Sequence, residues 1–239
     1  MKLRAELHDE LMDEVAGEIE AVFSALGQLR DGLRTLLGDG IKARGAAMRE
    51  DLAALRPDIF SLLEGHRSLV KGAGAIFTPG VLLDAPRWIE WWWWRTPAAP
   101  EALRINLDPE APDHYDYLPA EWYRVPVSRG ERHVTGPYVD YACTNEYAVT
   151  LSLPVEVDGA VAAVAGSDLV VSGLEKRLLP RMCKMPRPLA LINVEGRVVL
   201  SSSSDWTPGM LHPEAAGLRA EIAAACACAS PLPWLPVEL

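Results

Sequence analysis

Leu3, Leu7, Leu11, Val15, Ile19, Val22, Leu26, Leu29, Leu33 and Leu36 recur every three or four positions, with charged residues filling the intervals. That period puts them on one side of an α-helix, so the pattern predicts one long amphipathic helix over residues 3–36. The stripe either lies along a sheet or forms a seam with a second copy or a partner. It is longer than one small sheet covers, so self-association through it is expected. Gly38 and Gly40 are expected to break the helix. Residues 41–55 then read as a second helix with Arg56-Pro57 as stop or restart, and residues 58–65 as a short helical turn. Residues 1–65 therefore form an N-terminal helical segment, and residues 66–239 the rest of what is one folding unit.

Beyond residue 66 the pattern changes to short apolar runs broken by turn residues. Residues 69–77 and 87–95 read as strands around a Thr78-Pro79-Gly80 turn, and residues 96–117, rich in Pro and Asp, as a loop carried over the sheet. Residues 146–155 and 160–165 flank Asp158-Gly159, the strongest short-range signal for a hairpin. Ala160, Ala162, Ala163, Ala165 and Gly166 leave little bulk on the second strand, which makes room for aromatic side chains from elsewhere. Residues 170–179 fit a helix closed by Pro180, residues 189–194 and 197–201 a second hairpin around Glu195-Gly196, and residues 214–228 an Ala-rich helix. The Pro-rich end, SPLPWLPVEL, is expected on the surface. The fold class is α/β (α+β): a central antiparallel sheet with a long N-terminal helix and flanking helices.

Composition narrows the function. With 239 residues, 49% of them hydrophobic, the chain can bury a sizeable core. A net charge of −10 without a basic stripe excludes nucleic acid as a partner. The charged N-terminus and the lack of a long apolar run predict no membrane span and a cytoplasmic location. Cys143, Cys183, Cys226 and Cys228 make no disulfide pattern, and the five histidines are widely spaced, so reduced thiols and no metal are expected. No nucleophile elbow, phosphate loop or zinc-protease motif occurs, so neither catalysis nor a cofactor is predicted.

The run Trp91 to Trp94 carries more information. On a strand, Trp92 and Trp94 share a face with Trp88 and Glu90, whereas Trp91 and Trp93 share the other with Ile89 and Arg95. One face must meet the helix layer. The other is free to wall a pocket, unless all four indoles are core.

Trp122-Tyr123, Gly136-Pro137-Tyr138-x-Asp140, the hairpin from Pro154 to Gly159 and the exit Gly166-Ser167-Asp168 follow one another in an order that resembles the Cache or PDC sensor domains. The resemblance spans roughly residues 69–209, and LINVEGRVVLSS is similar to a later hairpin of the same modules. It implies a ligand-binding sensor for a small amine or amino-acid-like molecule. Trp91, Trp93, Tyr115, Tyr117, Trp122, Tyr123, Tyr138, Asp140 and Asp168 are the implied ligand-binding residues. In amino-acid-binding relatives a Tyr is followed, after four residues, by Arg-x-Trp-Tyr, whose Arg holds the ligand carboxylate. Here Tyr115 matches but Ala120 replaces the Arg, which leaves Arg95 or Arg124 as substitutes from another direction. Asp140 aligns with the family's ammonium-binding aspartate, against a plain role as a turn cap. Tyr141 and Glu146 are further pocket candidates. For Asp168 the plain role is a helix N-cap. No kinase, cyclase, methyl-accepting or DNA-binding segment is recognisable, so occupancy is expected to be relayed through a partner such as a separate regulator, or through a homodimer. The rival readings are a scaffold with a vestigial pocket and an enzyme acting on an amine.

Overall fold

In the computed structural model the chain is described over residues 2–213 and 232–239, with side chains from residue 9 onward. Helix α1 runs from Lys2–Arg44. Its buried positions Leu11, Val15, Ile19, Val22, Leu26, Leu29, Leu33 and Leu37 form one continuous stripe, the face predicted from the 3.6-residue period. That stripe is covered by the chain itself, in the main core, together with α2 (Arg56–Gly65), α4 (Val171–Met182) and one sheet face. The exposed seam from which self-association was expected is therefore not present between Leu11 and Leu37. Leu3 and Leu7 lie outside the described side chains.

Gly38 and Gly40 do not break α1. Burial of Leu33 and Leu37 just before them, and of Gly40 itself, outweighs the loss of about 1 kcal/mol per glycine. The stop comes at Gly45, whose positive φ of 83° and N–H to the Ile41 carbonyl (2.8 Å) close the helix. Of the second helix expected over residues 41–55, residues 41–44 are the end of α1, and a turn and a 3-10 helix, Arg49–Leu55, follow. Helix α2 restarts at once with a proline in its first turn, where a missing N–H costs nothing.

Six strands build the main antiparallel sheet: β1 (Val70–Phe77), β2 (Ile89–Trp93), β3 (Glu101–Ala102), β4 (His133–Val139), β5 (Tyr147–Val157) and β6 (Ala160–Val170). Their order is β3-β2-β1-β6-β5-β4. Asp158 and Gly159, with φ of 51° and 81°, make the tight β5–β6 turn. The segment from Gly136 to Tyr138 lies within β4 at a register irregularity between Thr135 and Tyr138. The turn follows at Asp140, whose N–H donates to the Glu146 carbonyl.

The two sheet faces separate cleanly. Val149, Leu151, Leu153 and Val155 on β5, with Ala73, Ala75 and Phe77 on β1, meet the α1 layer. Trp88, Trp92 and Trp94 lie on that side, where Phe60 packs edge-on to Trp92 at 4.9 Å and Glu90 accepts the indole N–H groups of Trp88 and Trp92. Ile76, Ile89, Trp91 and Val164 belong to the second face, covered by α3 (Glu121–Arg129) and the 94–120 loop.

A smaller sheet, in the order β8-β7-β9, consists of β7 (Leu189–Asn193), β8 (Val198–Ser201) and β9 (Trp234–Glu238). The C-terminal end is thus a strand and not a surface tail, with Leu232 and Trp234 buried. Pro236 is tolerated because β9 is an edge strand. Pro180 does not close α4 either: it sits in the last turn, and the helix continues to Met182, a fully buried anchor. The helix expected over residues 214–228 lies outside the described residues. Among the described residues no helix is long and apolar enough to cross a membrane.

Candidate functional site

The second sheet face holds a cavity of about 40 Å³, room for a few water-sized groups. Its floor is set by alternation along the strands. Thr150, Asp168 and Gly72 form one cross-strand row, Gly166, Gly74 and Trp91 the next, and Val164, Ile76 and Ile89 the third. The glycines decide where Trp91 goes. A Cβ on Gly72 would stand 2.5 Å from Trp91 Nε1, and one on Gly166 3.1 Å from Trp91 Cζ3. With hydrogens there instead, the indole lies flat across β1 and β6 as a plate under the cavity.

Two carboxylates occupy one end. Asp168, buried in β6, accepts a 2.6 Å hydrogen bond from the Thr150 hydroxyl, which in turn lies 2.6 Å from the Tyr138 hydroxyl. Because the single Thr150 proton goes to Asp168, Tyr138 donates to Thr150, and the three groups form a directed chain. Asp140 is also buried. Its Oδ1 accepts the backbone N–H groups of Ala142 and Cys143 at 3.2 Å, and its Oδ2 that of Thr144 at 2.9 Å. The turn-capping role is therefore real, yet the same carboxylate lines the cavity.

Burial, then the charge of Asp140, raises Asp168 to about 7, against the opposing hydrogen bond from Thr150. Burial and the same two carboxylates push the Tyr115 hydroxyl up to about 12 and raise the Cys143 thiol as well. Tyr138 is raised well above its ordinary value, chiefly by burial and then by Asp168. These phenols and the thiol stay protonated at neutral pH. Cys143 is therefore not a nucleophile, and the only negative charge available is that of the carboxylates.

Of the residues singled out from sequence, Trp91, Tyr115, Trp122, Tyr138, Asp140 and Asp168 line this cavity. Trp93, Tyr117 and Tyr123 do not. Tyr117 is fully buried, donates its hydroxyl to the Phe77 carbonyl at 2.8 Å and packs edge-on against Tyr123 at 5.0 Å. Tyr123 faces Thr78, and Trp93, one row beyond Trp91, packs on the rim of the apolar cluster. Asp168 is not an N-cap: α4 is preceded by Val170 and has no side-chain cap. Tyr141 points to solvent, and Glu146 pairs with Lys71 at 3.6 Å.

Neither arginine proposed as a carboxylate anchor reaches the cavity. Arg95 is exposed and pairs with Glu101 at 3.6 Å, and Arg124 lies on the outer face of α3. No Lys, Arg or His lines it. Thr150, Ile76, Ile89, Leu103, Ile105, Ala142 and Cys143 complete the lining and were not singled out as pocket residues. Ile89 alone was legible as a facemate of Trp91. Among the described residues no group of three or more metal-ligating side chains converges.

The family model for the "methyl-accepting chemotaxis protein-like, first PDC sensor domain" matches residues 84–176, which contain most of this lining. No curated protein matches the chain. Among solved structures, Methyl-accepting Chemotaxis protein X superposes with a TM-score of 0.62 at 15% identity, over 95% of this chain and 85% of that one. An extracellular domain assigned to a histidine kinase gives 0.63 at 15% identity, over 93% and 82%. The ligand-binding domain of the Campylobacter jejuni chemoreceptor Tlp3, in complex with 4-methylisoleucine, gives 0.50 at 15%, over 87% and 76%. At such identities the likeness is one of fold, and it agrees with the family match within the chain. Residues 84–176 are thus similar to the PDC, or Cache-type, sensor domains, and the chain shares the fold of solved chemoreceptor and histidine-kinase sensor domains.

Proposed function

We propose that this sensor domain recognises a small amine in the cavity above Trp91 and relays occupancy to a separate partner. The observation that carries the reading is charge. Two buried carboxylates, Asp140 and Asp168, share a cavity walled by Trp91, Tyr115, Trp122 and Tyr138 and without any cationic side chain. An ammonium group there gains charge-assisted hydrogen bonds and the faces of aromatic rings. The carboxylate of an α-amino acid would find no partner, and burying it unpaired costs several kcal/mol. Ala120 at the position of the family's arginine supports the same preference.

The test is a calorimetric panel of amines, α-amino acids and simple carboxylates against wild type and Asp140→Asn, a variant whose one remaining oxygen can still accept the Ala142 and Cys143 amides while the acceptor for Thr144 is lost. Amines should bind best. Asp140→Asn should weaken them by about 2–5 kcal/mol, or roughly 30-fold to several-thousand-fold. Preference for carboxylates, or undiminished amine binding by the variant, would refute the assignment.

A further inference from the structure

Resting on the amine reading, we infer that the ligand is a monoamine with a short apolar tail, and that the site rejects diamines of the same length. The two ends of the cavity differ in kind. Asp168 and Thr150 stand in the first cross-strand row and Ile76 and Ile89 in the third, four residues along β1 and β2. Four residues of strand span about 13 Å, and the ligand space between is shortened by the side chains at both ends. The Trp91 indole bridges the middle row.

The far end has nothing to offer a second charge. Ile76 and Ile89 pack with Val164 and Trp91, and Leu103 and Ile105 close over them from the 94–120 loop. The Leu103 N–H is already used by the Trp91 carbonyl at 2.8 Å. Every carboxylate in the lining belongs to the Asp140–Asp168 end. With its ammonium there, a monoamine lays its methylenes on the indole and among the isoleucines, where each buried CH₂ is favourable. A diamine in the same pose brings its second ammonium against aliphatic side chains, where it is neither solvated nor paired.

The experiment compares propylamine with 1,3-diaminopropane, and butylamine with 1,4-diaminobutane, by calorimetry on wild type, Leu103→Asp and Leu103→Asn. Leu103 is partly exposed in the covering loop, so the variants can be made without opening the core. Each monoamine should bind wild type at least about tenfold more tightly than its diamine, a desolvation penalty of modest size. Leu103→Asp should narrow or reverse that ratio and Leu103→Asn should not, because only the aspartate supplies a charge partner. Diamines that equal or exceed their monoamines on wild type would overturn the tail inference while leaving the amine reading intact. If no amine of either kind binds, the amine reading itself fails, and this inference with it.

Discussion

Asp168 is the residue at which burial and function meet. Its carboxyl is held near 7 instead of 3.8, chiefly by desolvation and then by Asp140. A raised acid pKa means that the folded state keeps a proton the unfolded chain has released. Stability from this group is thus present at low pH and declines as pH rises from about 4 to 7, by roughly 4 kcal/mol for a shift of this size. A bound ammonium reverses the preference, because it favours the carboxylate. Amine binding below neutral pH must therefore expel a proton. Affinity should climb as pH rises from about 5.5 to 7, by up to tenfold per unit, and level off above that until the amine itself loses its charge. Calorimetry in buffers of different ionisation heat measures the proton released directly. Asp168→Asn should flatten the profile and raise the melting temperature of the ligand-free protein at pH 8. An unchanged profile would mean that Asp168 is not the titrating group. Thr150, which holds this carboxyl, could not be found by counting back from the Asp158-Gly159 turn. A one-residue irregularity between Val155 and Glu156 shifts the register. Without it Asp168 would face Val149, so the partner was hidden by a backbone feature that leaves no mark in composition.

At the scale of elements, the period of the apolar positions was legible and the stops were not. The 3.6-residue stripe in α1, the β5–β6 hairpin and the alternation of the four indoles follow from side-chain spacing, and all appear where the spacing puts them. Gly38, Gly40 and Gly45 look equivalent in sequence, yet they do three different things. Gly45 ends the helix with a positive φ. Gly40 lets the returning chain approach, since a Cβ there would stand 2.8 Å from the Ala47 Cα. Gly38 faces open space. Gly38→Ala should consequently stabilise the protein by about 0.5–1 kcal/mol, the helix-propensity difference. Gly40→Ala should destabilise it by about 1–3 kcal/mol, because α1 and the Ala47 segment must be forced apart. Denaturant melts of the two variants suffice to check the opposite signs, and a stabilising Gly40→Ala would show that the approach is loose. Pro180 and Pro236 misled for a related reason. A proline breaks an element only where its N–H is needed or its ring is crowded. Neither the last turn of α4 nor the edge strand β9 imposes enough of either to outweigh the burial of Met182 and Trp234.

At the scale of the whole molecule, the cavity and the small sheet meet at β4. Tyr138 and Asp140 reach the cavity from this strand and the turn after it, while the preceding Gly136 carbonyl accepts a 2.8 Å hydrogen bond from Asn193 Nδ2 at the end of β7. A second contact lies alongside, where a Cβ on Gly209 would stand 2.8 Å from the Tyr147 ring. An occupant that draws Tyr138 and Asp140 toward an ammonium therefore pulls on the strand that is tied to the small sheet. Coupling of this kind requires differential contacts in the two states and not mere proximity. Hydrogen exchange separates the two: with saturating butylamine, amides of β4, β5, β7 and β8 should all slow in wild type. In Asn193→Ala the slowing should persist on β4 and β5 and fade on β7 and β8, with butylamine affinity changed by less than about threefold, since Asn193 does not line the cavity. Asn193 Oδ1 also accepts the Glu195 and Arg197 N–H groups of the β7–β8 turn. Asn193→Asp retains those two acceptors and loses only the donor to Gly136, so it should reproduce the uncoupling without loosening the turn. If β7 and β8 are indifferent to butylamine in wild type, the Asn193–Gly136 tie is a structural clasp and the signal leaves the domain by another face.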